Sequence, residues 1–189
     1  MNAIPMIEAR GSHREVGRQI GQQCQVKIQA TLANLRNDLP VGVTWDAMLK
    51  QSRLYLEFSA EIYPQYIEEL EGIAEGADVP FDEVFLSICE ELWESMSWQR
   101  GCTDMAARGR ATVDGLTLIA HTNDLLPKAE EHLVLLKIQA GEEPEFLGIS
   151  SGGIAISAGY NAAGISLTGN QLTLKSSGSP DVLVFEAGN

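Results

Sequence analysis

Gly101-Cys102-Thr103, followed further on by Asp114-Gly115-Leu116-Thr117-Leu118-Ile119-Ala120-His121-Thr122-Asn123-Asp124, is the stretch that decides how this chain folds. Before it, apolar residues recur at helical spacing. Within and after it, they come in short runs broken by glycine-containing turns. Helices first and antiparallel strands second predict an α+β architecture. Inside the stretch, Val113-Asp114-Gly115-Leu116 is a tight-turn signal. It predicts a hairpin with one arm at 111–113 and the other at 116–120.

Working back from Gly101, four helices are expected. Ser12-His13-Arg14-Glu15 is a capping box, in which Ser12 caps an amide at the third helical position and Glu15 reaches back. Val16, Ile20, Cys24, Ile28, Leu32 and Leu35 then form one stripe. Gly17 and Gly21 lie on nearly the same face, which lets another backbone come close. Thr44 is placed to cap a second helix carrying Trp45, Met48, Leu49, Tyr55 and Phe58. A third helix begins around Pro64, with Tyr63, Tyr66, Ile67, Leu70, Ile73 and Ala77 as its stripe. Gly72 and Gly76 weaken it, and Gly76 is expected near its end. Asp82 is the expected cap of a fourth helix that turns Val84, Phe85, Ile88, Leu92 and Met96 inward.

Working forward, His132–Ile138 reads as a strand, and Gly141-Glu142-Glu143-Pro144 turns it into Phe146–Ser150. Ile154-Ala155-Ile156, a turn at Asn161-Ala162-Ala163-Gly164 and the strand Ile165–Thr168 follow. The pairing expected of such runs is antiparallel.

Composition narrows the function. The net charge of −13 argues against nucleic acid and anionic membrane as partners, since both call for clustered Lys and Arg. No apolar run approaches the roughly 18 residues of a membrane span. The N-terminal residues lack the basic and apolar regions of a secretory signal, so the cytoplasm is the expected compartment. Cys24, Cys89 and Cys102 form no CxxC pair, and His13, His121 and His132 have no metal-ligand spacing. Neither a metal nor an organic cofactor is expected.

Cys24 and Cys89 fall on apolar helical faces and read as core residues. Cys102 stands at the helix-to-strand junction, where it reads either as one more small apolar residue or as a nucleophile. A nucleophilic thiol needs a base. His121 and His132 are one source. The other is the α-amine of Cys102 itself, released if the Gly101–Cys102 bond is cut. With a pKa of about 7.7–8.0, that amine can take the thiol proton directly or through water. Gly101 leaves its carbonyl open to attack by the neighbouring thiol.

The junction, together with 114–124, resembles the isopenicillin-N acyltransferase family (acyl-coenzyme A:6-aminopenicillanic acid acyltransferases). More distantly it is similar to choloylglycine hydrolases and penicillin V acylases. The stretches 11–21 (Gly-Ser-His-Arg-Glu-Val-Gly-Arg-Gln-Ile-Gly), 68–77 (Glu-Glu-Leu-Glu-Gly-Ile-Ala-Glu-Gly-Ala) and 159–170 (Gly-Tyr-Asn-Ala-Ala-Gly-Ile-Ser-Leu-Thr-Gly-Asn) carry the same resemblance, in the right order.

The resemblance implies the four-layer αββα sandwich of N-terminal-nucleophile hydrolases. Residues 1–101 would be a pro-segment that stays bound as the small subunit. Residues 102–189 would begin the catalytic subunit. It implies that Cys102 is the nucleophile of both self-cleavage and turnover, that Asp124 holds its amino group, and that Asn170 helps to form the oxyanion hole. Thr103, Arg108 and His121 become candidates for contacting substrate, a small acyl amide or an acyl-CoA-like thioester. His121 stands where the family carries Arg or Gln, a departure that bears on substrate more than on mechanism. The family's chains are longer, with a further oxyanion Asn, more strands and a second helical layer expected beyond Asn189. The sandwich is therefore expected to be C-terminally incomplete, and Val182–Asn189 matches nothing in the family.

Overall fold

A computed structural model describes residues 3–93, 101–124 and 129–170. Met96, expected on the fourth helix, and the 182–189 ending lie outside the described residues. The chain is α+β. A helical group comes first, and after it a mixed five-stranded sheet and a separate two-stranded hairpin.

Helix α1 (His13–Asn37) starts at the capping box. The Ser12 side chain accepts from the Glu15 amide, and Glu15 accepts from the Ser12 amide at 2.8 Å. Its stripe is buried from Val16 to Leu32. Helix α3 (Pro64–Ala77) lies along it, and four glycines form the seam. A Cβ on Gly17 or Gly21 would collide with the Glu69 or Ile73 carbonyl, and one on Gly72 or Gly76 with the Arg14 or Arg18 carbonyl. The close approach expected of Gly17 and Gly21 is present. Gly72 and Gly76, expected only to weaken α3, are the reciprocal half of the same contact.

Helix α2 (Trp45–Ile62) begins at Thr44, whose hydroxyl accepts from the Ala47 amide at 3.2 Å. Met48 faces inward, but Phe58 is half exposed. Helix α4 (Phe81–Ile88) begins after Pro80 rather than at Asp82, which pairs instead with Arg53 at 2.9 Å. Proline supplies the turn into that helix, and Asp82 sits in its first turn. Cys89 breaks the element, leaving Leu92 on a separate short helix, α5 (Glu90–Trp93). Cys24 and Cys89 are buried, and burial raises both thiols above the usual range, Cys89 to about 12.

The sheet runs β1-β4-β5-β6-β7, with β1 at Met6–Gly11, β4 at Leu133–Ala140, β5 at Phe146–Ser151, β6 at Ala155–Asn161 and β7 at Ser166–Thr168. Four of its members match expected runs. β1 was not expected, and it pairs with β4 in parallel, so the all-antiparallel expectation fails at this edge. Alternation along β4 assigns the faces. Val134, Leu136, Ile138 and Ala140 pack with Ile7, Ala9 and the α1 stripe. Leu133 and Leu135 face the other way.

The hairpin joins β2 (Cys102–Ala107) to β3 (Leu118–Asn123). Asp114-Gly115 does turn the chain: Gly115 has φ 74°, and the Leu116 amide donates to Asp114 Oδ1 at 3.1 Å. The expected arm at 111–113, however, is no strand. A 3-10 turn at Gly109–Ala111 occupies that region, and the paired arm lies upstream, beginning at Cys102 itself. Helices thus cover one face of the large sheet, and β3 approaches the other. No second helical layer occurs among the described residues, and none of their helices is long and apolar enough to cross a membrane.

Candidate functional site

Hairpin register builds the site. Cys102 pairs with Asn123, and Asp104 pairs with His121. Side chains alternate along a strand, so these four share one face of the hairpin, while Thr103 and Thr122 take the opposite face. The Cys102 thiol lies 3.6 Å from Asn123 Oδ1. Unlike Cys24 and Cys89, it is partly exposed.

The junction itself is tied down by Asp124. Its amide donates to the Gly101 carbonyl at 2.8 Å. Its carboxylate lies over the Gly101 Cα, where a Cβ would come within 2.5 Å of Oδ2. Glycine is the residue that leaves room for that carboxylate. The carbonyl of the Gly101–Cys102 bond is thus already polarised by a backbone donor.

Two residues along β2 stands a group that sequence reading missed. Asp104 Oδ1 receives His121 Nδ1 at 2.7 Å. Its other oxygen receives the Asn170 amide, and the Thr168 hydroxyl also donates to this carboxylate. The His121 bond, foremost, holds the Asp104 carboxyl below its ordinary 3.8, helped by Thr168 and Asn170 and opposed by desolvation. Asp104 reads in sequence as an ordinary strand-start acid. Only the register that sets it opposite His121 exposes its role.

His121 and Asn123 form the polar end of a cleft of about 430 Å³ between β3 and the sheet. Leu133, Leu135, Leu147 and Ile149 supply apolar wall, and Tyr160 and Thr168 lie on it too. An apolar cleft with a few convergent polar groups is the usual form of a small-molecule site.

The structure brings Cys102, Gly101, Asp124, His121 and Asn170 to one end of the hairpin, though Asn170 is bonded to Asp104. Arg108 is an exposed residue just past the far end of β2, roughly 20 Å of strand away from Cys102. Thr103 is exposed on the opposite face. His132 lies outside this cluster, just before β4, with its Nδ1 buried and without a partner. Among the described residues, no group of three or more His, Cys, Asp or Glu is arranged to hold a metal ion.

No family model matches the chain. In an alignment 144 residues long that covers 69% of the chain, it is 28% identical to the beta-alanyl-dopamine/carcinine hydrolase of Drosophila melanogaster. The match covers 35% of that protein, so the chain spans about a third of this relative's length. The similarity is distant, and it is to a hydrolase.

Proposed function

We propose that this chain is part of a self-cleaving amide hydrolase that uses Cys102 as its nucleophile. The observation that carries the proposal is the junction geometry: a partly exposed thiol next to a glycine carbonyl that already accepts the Asp124 amide at 2.8 Å. In the first step the Cys102 sulfur attacks the Gly101 carbonyl carbon. The Asp124 amide stabilises the oxyanion that forms. The C–N bond breaks, the amide nitrogen takes up a proton, and a Gly101–Cys102 thioester remains. Water hydrolyses it, giving Gly101 a carboxylate and returning the Cys102 thiol beside the α-amine already freed in the shift.

Asp124, already lying over Gly101, then holds that amine, which serves as base to the thiol in turnover. Residues 1–101 remain bound as a separate subunit, tied in through β1, whose pairing with β4 spans the cut. Residues from Cys102 onward belong to the catalytic subunit of a four-layer αββα sandwich. The substrate is a small amide of the kind the fly relative's name describes. An acyl thioester, with transfer to an amine instead of water, uses the same acyl-enzyme. An oxyanion role for Asn170 requires its amide to leave Asp104.

The test is the intact mass of freshly purified protein under denaturing conditions. Two fragments of 101 and 88 residues are expected from the wild-type sequence, and one uncut chain from Cys102→Ala. Cleavage of the Cys102→Ala chain at the same bond would sink the proposal.

The hydrogen-bonded Asp104–His121 pair favours a second reading, a Cys–His hydrolase that never cuts itself. A wild-type chain that stays whole while acylating Cys102 would mark that case.

A further inference from the structure

Self-cleavage as proposed leaves one need unmet: the α-amine that serves as base in turnover does not exist until the Gly101–Cys102 bond is broken. Something else must take the thiol proton first. A thiol has a pKa of about 8.5, an imidazole about 6.5 and a carboxylate about 3.9. Proton transfer is easiest between matched groups, which favours an imidazole over Asp124 or Asp104 as the acceptor.

The hairpin supplies one on the correct face. His121 pairs with Asp104, one same-face position along from the Cys102–Asn123 pair, so His121 and Cys102 are diagonal neighbours. Such neighbours stand about 7–8 Å apart at the backbone, within reach of long side chains or one bridging water. Its Nδ1 is committed to Asp104 at 2.7 Å, and its Nε2 has no hydrogen bond among the described residues. The Asp104 carboxylate is filled by donors from His121, Asn170 and Thr168, so it is poorly placed to bind substrate and well placed to orient the ring. The titratable and charged groups around His121 are Cys102 and Asp104 on β2, Asp124 at the end of β3 and Tyr160 across the cleft on β6; β7 contributes only Thr168, which is neutral.

We propose that Asp104 and His121 form a proton relay to Cys102 that works while the bond to Gly101 is intact, an inference that deepens the self-cleaving reading. Nδ1–H donates to Asp104, which fixes the tautomer with a free Nε2 lone pair. Nε2 takes the thiol proton as the sulfur attacks the Gly101 carbonyl. The same proton then passes to the Cys102 nitrogen as the C–N bond breaks, and His121 returns to neutral. His121 is the catalytic group. Asp104 is a positioning residue.

Two readouts test the relay, chosen by the state of the wild-type chain. If it is uncut, iodoacetamide modification of Cys102 is followed by mass spectrometry from about pH 5 to pH 9, Cys24 and Cys89 being buried. If it is cut, the appearance of fragments is timed during cell-free synthesis over the same range. His121→Gln is expected to slow either process about tenfold or more near neutral pH and to flatten its dependence on pH. Asp104→Asn, which is isosteric, should give a smaller loss, and it carries the test if His121→Gln fails to fold. Unchanged profiles in both variants would overturn the relay. So would a loss confined to Asp124→Asn, which would make a carboxylate the base. An uncut wild-type chain with an intact His121-dependent profile would reject self-cleavage and keep the relay.

Discussion

The α1–α3 seam and the β2–β3 hairpin are held in opposite ways. The seam is backbone against backbone: four glycines bring two helices so close that a methyl group at any of them would strike a carbonyl. The hairpin is a thin ribbon, with Met105, Leu118 and Ile119 substantially exposed. What fixes its end is polar: a carboxylate over a glycine, and an acid bonded to a histidine, an asparagine and a threonine. The first region is rigid because nothing can move apart cheaply. The second is positioned by hydrogen bonds between ionisable and polar side chains. Placing the candidate reactive groups on the lightly packed element fits the proposed self-cleavage, in which the site would change its own backbone.

The largest expected effect is at the seam. Gly17→Ala places a methyl group against the Glu69 carbonyl, with the Ile73 nitrogen only 3.0 Å away. Both neighbours are main chain, so the helices must separate. Alanine would ordinarily favour a helix by about 1 kcal/mol over glycine. Here a net loss of about 3 kcal/mol is expected, at the upper end of overpacking costs. Urea denaturation followed by far-ultraviolet circular dichroism measures it. A variant as stable as wild type would mean the helices are not in contact at these glycines.

The matching substitution in the hairpin should be milder in stability and harsher in chemistry. At Gly101, an alanine Cβ meets the tip of the Asp124 side chain and, among the described residues, no main-chain atom within 4 Å. The carboxylate can swing away, so Gly101→Ala is expected to cost less than about 1 kcal/mol. Moving Asp124 should nevertheless slow appearance of the new N-terminus by about tenfold or more in the intact-mass assay. Equal destabilisation at Gly17 and Gly101 would dissolve the distinction between the two regions.

This contrast also explains what the sequence reveals. The start of α1 is legible because its signals are local: a cap, a partner three residues on and a stripe. β4, β5 and the Asn161–Gly164 turn are legible for the same reason. β1 is not, since Met6–Gly11 is short and finds its partner across more than a hundred residues. Half of the glycine seam escapes too, because Gly72 and Gly76 look like weak helix positions until another helix is set against them. At the site, Cys102 and Gly101 stand out by their place at a change of periodicity. Asp104 does not: its meaning depends on a register that starts at Cys102, whereas the Asp114-Gly115 turn signal draws the upstream arm to 111–113. Asp114-Gly115 does lie in the turn, but the loop between the arms runs from 108 to 117.

The smallest expected effect joins the two regions of packing near the seam's open end. Glu69, on α3, accepts from His13 Nδ1 at 3.0 Å, and His13 Nε2 lies 3.3 Å from Glu143 in the β4–β5 turn. Burial pushes the Glu69 carboxyl above its ordinary 4.5, with the hydrogen bond and charge of His13 pulling the other way and Glu143 adding to the rise. A carboxyl raised in the folded state binds its proton more tightly there than in the unfolded chain. The stability linked to it is therefore complete below about pH 4.5 and is lost as pH rises through the folded value. Glu69→Gln cannot ionise, so its stability should fall less than that of wild type between about pH 4 and pH 7, by on the order of 1 kcal/mol or less. Urea midpoints at several pH values read this slope directly. A steeper fall in the variant would mean that the His13 bond outweighs burial, making this corner of the seam a polar clamp of the kind found in the hairpin.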